Sequence, residues 1–391
     1  MDDIALDGRR VIVRVDFNVT AGDDGVVDAS EDYRIQAAIP TIQELRQRRC
    51  KVLLLAHLGR PGEEESVLNM DAIARRVQEL LREDVRMLPK LYGNQVDAIV
   101  QGMEQGDIAL FPNVRLDDRE SMLNQKFAEE LSTAGDVYIN EAFSVSHRAH
   151  TSVVLLPRLL PSAAGRRTVE EVRVLSQLRE KAEHPYVAIA SGAKITTKIG
   201  ILEYLLTKVD KMCLGGKIAN AFLAAQGSWP ESMFAADEIA VAKHLLEKYK
   251  EKIVLPVDVV IGNEDGSYMQ TIDVGYIPEH VGDVWDIGPK SVAAMLAECE
   301  GAKTIIWNGP VGRVEVEAYG ASTKSLMEGL ATHSGYRVVG GGDTVNVLEK
   351  YNTLDSFDHV SVGGGAMLEF LEGKKLPGLI ALVSSDANQA S

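Results

Sequence analysis

Short apolar runs, turns and amphipathic stretches alternate from one end of the chain to the other. Runs rich in Val, Ile and Leu read as strands at Arg10–Phe17, Lys51–Leu58, Asp107–Phe111 and Asp136–Asn140 in the first half. The second half repeats the pattern at Tyr186–Ala190, Lys211–Leu214, Ile253–Ile261, Thr304–Trp307, Tyr336–Val339 and His359–Val362. Helical patterns fall between them, at Asp32–Arg49, Met70–Arg82, Lys198–Val209, Ala236–Lys252, Pro289–Glu298 and Thr344–Tyr351. In Met70–Arg82, Ile73, Val77, Leu80 and Leu81 share one helix face. Near-continuous apolar strands alternating with helices predict parallel sheets covered on both faces, a doubly wound α/β fold. Around Pro161 to Pro185 the pattern changes. Residues 169–183 read as a charged helix whose apolar positions are Val169, Val172, Leu175 and Leu178. Such a helix suits a connector between a lobe over 1–168 and a second over 184–370. The small polar residues from Ser384 onward read as a loose tail.

Length agrees with two lobes, since 391 residues suffice for two cores. With 46% hydrophobic and 25% charged residues the chain is an ordinary globular one. Its 57 acidic against 41 basic residues give a net charge of −16, which argues against nucleic-acid or anionic-membrane binding. Cys50, Cys213 and Cys299 are scattered and lack a C-x-x-C, as expected of buried thiols in a reducing compartment. Met1-Asp2-Asp3 opens no basic or apolar leader, and the apolar stretch Thr151–Gly165 is broken by Pro157, Arg158 and Pro161. A cytoplasmic monomer is the expectation.

Ligands of open parallel sheets bind beyond the carboxyl ends of the strands. In the first half those ends lead to Asp16 and Asn18, to His57 and Arg60, to Asn113 and Arg115, and to Asn140, His147, Arg148 and His150, with Arg34 opening the helix after the first long loop. Any one arginine alone would be read as a surface ion-pair partner. Together, in so acidic a chain, they indicate a pocket for a small multiply charged anion. The second-half strands instead run into Ser191-Gly192-Ala193-Lys194, Gly215-Gly216-Lys217, Asn308-Gly309-Pro310, Gly340 to Thr344 and Gly363 to Ala366. Glycine admits a phosphate close to the backbone, and the N–H groups of the following helix favour anions. Lys194 and Lys198 add charge, and Asp343 offers an oxygen to Mg²⁺.

Familiar signatures are missing: there is no G-x-G-x-x-G, no Walker A around Gly216-Lys217 and no G-x-S-x-G. His147-Arg148-Ala149-His150 fits neither a protein-kinase catalytic loop nor a zinc helix. An anion pocket facing a polyphosphate site across a cleft describes a phosphotransferase.

Val15-Asp16-Phe17-Asn18-Val19, His57-Leu58-Gly59-Arg60-Pro61 and Ala142-Phe143 with His147-Arg148-Ala149-His150 resemble phosphoglycerate kinase. So do Gly192-Ala193-Lys194, Asp286-Ile287-Gly288-Pro289-Lys290, Trp307-Asn308-Gly309-Pro310, Gly340 to Thr344 and Gly363 to Ala366 with Leu371-Glu372-Gly373, in the family's order and over nearly the whole chain. The resemblance implies reversible transfer of the acyl phosphate of 1,3-bisphosphoglycerate to ADP, giving 3-phosphoglycerate and ATP. It implies Asp16, Asn18, Arg34, His57, Arg60, Arg115 and Arg148 around the acceptor. On the Mg-nucleotide it implies Lys194, Lys198, Gly216, Asn308, Glu315, Gly341, Gly342, Asp343 and Thr344, with Glu315 toward the ribose and Asp343 on Mg²⁺. Arg34, Lys194 and Lys198 are the implied catalytic cations. The segment 371–391 is expected to return to the first lobe, docking through Leu376 to Leu382.

The acceptor carboxylate is ionised at pH 7, so no catalytic base is required. Alignment, charge neutralisation and lobe closure remain. The chain departs from the family pattern at Lys217 (for Gly), Thr197 (for Asp), Val362 (for Thr), Val314 (for Phe) and Phe111-Pro112 (for Leu-Glu). Most of these lie toward the nucleotide, and Lys217 with Val314 points to a reshaped base site. The competing reading is a binding protein of the same fold without useful turnover. Retention of Arg34, Lys194, Lys198, Glu315 and Asp343 argues against it.

Overall fold

The structure, a computed structural model, describes residues 1–19, 26–27, 32–59, 70–192, 195–196, 198–277 and 283–389, with backbone alone over 384–389. Two compact units divide the chain: Met1–Val174 with Gly365–Ser391, and Leu175–Gly364.

The first unit is built on six parallel strands, β1 (Arg10–Arg14), β2 (Lys51–Leu55), β3 (Val85–Met87), β4 (Ile108–Leu110), β5 (Val137–Asn140) and β6 (Ser162–Ala164), in the order β3-β4-β2-β1-β5-β6. Alternation along β1 sends Val11 and Val13 to one face, where they pack with Ile35, Ile42 and Leu45. Ile12 goes to the other, among Leu53, Leu55, Phe127, Tyr138 and Leu156. Both faces are therefore covered, as near-continuous apolar strands require.

The second unit has its own sheet. It contains β7 (Tyr186–Ala190), β8 (Lys211–Leu214) and β9 (Ile253–Val254). A small antiparallel sheet follows, of β10 (Asp258–Ile261), β11 (Gln270–Asp273) and β12 (Val284–Ile287), and then come β13 (Thr304–Asn308), β14 (Tyr336–Gly340) and β15 (His359–Ser361). The parallel sheet runs β15-β14-β13-β7-β8-β9, and the small one β11-β10-β12.

Four expectations change on contact with the structure. Ile253–Ile261 is two strands in two sheets, because Pro256 supplies no N–H and restrains Leu255. Asp32–Arg49 is likewise two helices, Tyr33–Gln36 and Ile39–Gln47, since Pro40 near the start of the second cannot donate to the preceding turn. The connector helix runs over Arg166–Lys181 rather than 169–183, and the two units divide within it, between Val174 and Leu175. It starts early because Thr41 Oγ1 accepts from Arg166 N (3.0 Å) and Glu141 from Arg167 N (3.0 Å) and Thr168 N. Its buried face is Thr168, Glu171, Val174, Leu175 and Leu178, while Val169 is exposed. Finally, the backbone stays helical over Pro377–Gln389, through the stretch expected to be loose. No glycine or proline follows Gly378 there to break it.

That last helix is seated on the first unit. Gly378 N donates to Ser146 O (2.8 Å), Ala381 is buried, and Leu382 joins the cluster holding Phe127 and Leu156. The glycine is needed, because a Cβ would lie 2.7 Å from Val153 Cγ1 and 2.9 Å from Ser146 Cα. Leu382→Ala should destabilise the first unit by about 2–3 kcal/mol. Trp229, Trp285 and Trp307 all lie in the second unit. The far-ultraviolet circular dichroism transition in denaturant should therefore move to lower concentration while tryptophan fluorescence shifts less; coincident, unshifted curves would show that the helix adds nothing.

Candidate functional site

Parallel pairing sets Arg14, at the end of β1, opposite Leu55 of β2 and Asn140 of β5, so the loops of all three strands leave from one edge. Asp16, His57, Arg115, His147, Arg148 and His150 stand on or just beyond that edge. The turn after β2 is pinned from two sides. Asn113 Oδ1 accepts from Leu58 N (3.2 Å) and its Nδ2 donates to Leu58 O (2.7 Å), while Gly59 N donates to Asn18 Oδ1 (2.8 Å). Arg115 Nη1 closes on Gly59 O, and its backbone N–H is held by Asn113 Oδ1 (3.0 Å). Asp16 is ion-paired with Arg34 and accepts from Ser144 Oγ (2.6 Å) and Asn18 N (3.2 Å), so Asp16 orients Arg34.

The charge in this site belongs to guanidinium groups. Burial, reinforced by Arg14, pushes the His57 pKa well below its usual value despite Asp16. Burial and then Arg115 bring His150 down to about 4, and burial lowers His147. All three imidazoles are therefore neutral at pH 7. Burial would raise Asp16, but Arg34 above all, with the Ser144 hydroxyl and the Asn18 N–H, outweighs it and holds the carboxylate ionised. Burial above all, and then the nearby charges of Arg148 and Arg14, lower Arg115 to about 10. Such a cluster is relieved by a multiply charged anion.

The strand ends of the second unit present backbone instead. Asn308 on β13 pairs with Ala190 of β7 and Gly340 of β14, which again levels the strand ends. Gly309, at φ 95°, sits against the Ser191 carbonyl, where any Cβ would collide. Asn308 Nδ2 donates to Gly340 O (3.0 Å), and Thr344 Oγ1 accepts from Gly309 N (2.9 Å). The Thr344 hydroxyl is thus buried and engaged in holding the loop. Helix Gly342–Lys350 begins two residues before the expected Thr344, which puts the exposed Asp343 in its first turn. Lys198 Nζ donates to Ser191 O (2.5 Å) and Asn308 Oδ1 (2.8 Å); burial brings its pKa down to about 8, opposed by Asp343.

These loops line a cavity of ≈ 530 Å³ that includes Gly192, Gly216, Lys217, Glu315 and Asp343. Its far wall was not foreseen. The Arg313 guanidinium lies 4.7 Å from the centroid of the Trp285 ring, which also stacks with Tyr319 at 5.7 Å, and Arg313 Nη1 reaches Glu264 at 3.2 Å. Lys217 Nζ is 3.9 Å from Asp283. Val314 is not among the lining residues, whereas Lys217, Arg313 and Trp285 are.

Arg60, Lys194 and Thr197 lie outside the described residues. Asp16, Asn18, Arg34, His57, Arg115 and Arg148 fall in the first unit, and Lys198, Gly216, Asn308, Glu315, Gly341, Gly342, Asp343 and Thr344 in the second. Sequence reasoning missed Arg14 and Glu120, both fully buried under the first site. The available signal was a charge inside an apolar strand, Val11-Ile12-Val13-Arg14-Val15. Among the described residues no group of three His, Cys, Asp or Glu can hold a metal ion, and no helix is long and apolar enough to cross a membrane. All three cysteines are buried and free.

Comparison with known proteins agrees with this arrangement. A sequence profile described as phosphoglycerate kinase matches residues 1–374. Phosphoglycerate kinase of Moorella thermoacetica is 39% identical, covering 98% of each chain. That of Coprothermobacter proteolyticus is 40% identical, over 97% of this chain and 98% of its own. The solved phosphoglycerate kinase of Coxiella burnetii superposes with a TM-score of 0.81 at 34% identity, over 98% of each chain. That of Pyrococcus horikoshii gives 0.89 at 26% identity, over 99% of each. With guanidinium groups gathered at one set of strand ends, glycine-lined loops at the other, and a profile matching nearly every residue, the chain belongs to the phosphoglycerate kinase family.

Proposed function

We propose that the first-unit site binds 3-phosphoglycerate or 1,3-bisphosphoglycerate and that the second-unit site binds ADP or ATP with Mg²⁺, so that the acyl phosphate passes between them. The observation that carries the reading is the gathering of arginines at one set of strand ends, with Arg34 held by Asp16 and Arg115 pinned by Gly59 O and Asn113, a charge cluster suited to a phosphate. Arg115 and Arg148 then hold the non-reacting phosphate, with Arg60 assigned beside them by the sequence. Arg34, oriented by Asp16, neutralises charge near the reacting carboxyl. On the nucleotide side Lys198 and Lys194 meet the phosphates, Gly216, Gly341 and Gly342 admit them, Asn308 steadies Lys198, and Glu315 faces the ribose.

The donor set fits Mg²⁺ that arrives with nucleotide: one exposed carboxylate, Asp343, stands on a helix first turn, leaving most coordination to phosphate oxygens and water. When bound, the ion offsets charge on the phosphate oxygens. The acceptor carboxylate needs no base, so the protein contributes alignment, neutralisation and exclusion of water. The location proposed is cytoplasmic, supported by three free buried thiols.

A coupled assay with 3-phosphoglycerate and MgATP tests the reading directly; binding of both ligands with no turnover would leave a binding protein. In that assay Arg115→Ala or Arg148→Ala should raise the acceptor KM roughly 10- to 100-fold with smaller loss of kcat. Arg34→Ala should lower kcat by about 100-fold or more. Equal kcat losses in all three would refute this division of roles.

Lys198 sets a pH dependence. Its pKa of about 8 in the free protein must rise when polyphosphate binds, so binding above pH 8 takes up a proton. Nucleotide affinity should fall as pH rises from 8, by up to about tenfold per pH unit. Calorimetry in two buffers of different ionisation enthalpy should show the proton uptake, and Lys198→Met should abolish it.

The wall of the base pocket sets a selectivity. Lys217 with Asp283 and Arg313 on Trp285 offer a polar rim, not an apolar slot closed around adenine. ADP and GDP should therefore differ in affinity by less than about tenfold, roughly 1.4 kcal/mol, and Lys217→Gly should favour adenine. Strong exclusion of GDP by the native protein would contradict this.

A further inference from the structure

Arg14 is fully buried at the end of the middle strand β1, a costly place for a charge. Three contacts compensate. Nε donates to Ser152 Oγ (2.9 Å), Nη1 to Val15 O (2.6 Å), and Nη2 lies 3.2 Å from His57 Nδ1. Ser152 passes the charge on: its Oγ donates to Glu120 Oε1 (2.6 Å) and its N to Glu120 Oε2 (2.9 Å). Glu120, also buried, accepts both of these bonds, and burial pushes its pKa up.

The contact with His57 is the informative one. A guanidinium has donors only and stays protonated. Nη2 can therefore meet Nδ1 favourably only if Nδ1 presents its lone pair. The imidazole proton must then sit on Nε2, and an imidazolium would set N–H against N–H. The other charged groups acting on the ring are Asp16 beyond β1, Arg115 beyond β4 and Arg148 beyond β5. Of these only Asp16 favours protonation, and the lowered His57 pKa shows that burial and Arg14 prevail over it.

We propose that Arg14 is a positioning residue that fixes His57 as its neutral, Nε2-protonated tautomer, so that His57 enters the acceptor site as a hydrogen-bond donor and not as a further cation. The consequence for ligand binding rests on the acceptor reading of this site; the tautomer does not. His57 gives one directed N–H to a ligand oxygen, and the guanidinium groups carry the charge. A purely structural Arg14, tying β1 to Ser152, would leave the ring free to take either proton.

Nitrogen-15 NMR of the full chain with labelled histidine decides the matter. At neutral pH the native protein should show His57 Nδ1 as an unprotonated, acceptor-type nitrogen and Nε2 as N–H bearing. In Arg14→Met the ring should become a tautomer mixture and titrate closer to its ordinary range, and the KM for 3-phosphoglycerate should rise about tenfold with a new pH inflection, kcat changing less. Arg14→Lys, a shorter donor-only cation, should retain part of the tautomer bias and serves if the methionine variant does not fold. A protonated Nδ1 in the native protein overturns the proposal, as does an unchanged Nε2 tautomer in folded Arg14→Met or a bias in Arg14→Lys no weaker than in the native protein. If 3-phosphoglycerate leaves the native His57 signals unmoved while the tautomer is as described, the acceptor reading fails and the positioning role stands.

Discussion

Both sites depend on parallel ladders held in register. Arg14 lies level with Leu55 and Asn140, and Asn308 with Ala190 and Gly340. Because side chains alternate along a strand, a slip of one residue would turn Arg14 into the opposite face and carry Asp16 and His57 out of reach of one another. The register is set by burial on both faces, with Val11 and Val13 committed to one core and Ile12 to the other. The charged residues at the strand ends inherit their positions from apolar residues a few places upstream.

The two candidate sites offer an anion different physical means of attachment. In the first, charge is fixed: Asp16 holds Arg34, Asn113 holds the turn that Arg115 closes on, and neutral imidazoles keep the field in the guanidinium groups. In the second, the anion-facing surface is mainly main chain, with Lys198 pre-bonded to Ser191 O and Asn308 Oδ1. Arginine forks suit a small rigid phosphate at a defined place, whereas N–H groups at glycine turns follow the longer contour of a polyphosphate.

How much could be read beforehand follows the same division. Strands buried on both faces announce themselves as unbroken Val, Ile and Leu, so β1, β2, β7 and β13 and the residues beyond them were readable in the sequence. What escaped depends on partners distant along the chain. Glu141 and Thr41 decide where the connector helix starts, and neither is near it in sequence. Arg14 looked like an ordinary strand residue until Ser152 and Glu120, more than a hundred positions on, gave its charge a home. Pro256 did carry a local signal, yet only the structure shows that it divides two sheets. The Trp285–Arg313 wall joins β12 to the loop after β13, a pairing that no periodicity encodes.

The close approach of Gly309 to the Ser191 carbonyl, and of Gly216 to the Ser191 hydroxyl, has a bearing on how such a protein can change over time. Where a single methyl group would strike main chain or a bonded side chain, the glycine-lined floor has almost no neighbouring sequences open to it. Lys217, Asp283 and Arg313 are exposed or partly exposed at the rim, where a new side chain has solvent to move into. Variation is thereby channelled: drift or selection can rewrite the rim of the cavity while its glycine floor stays as it was.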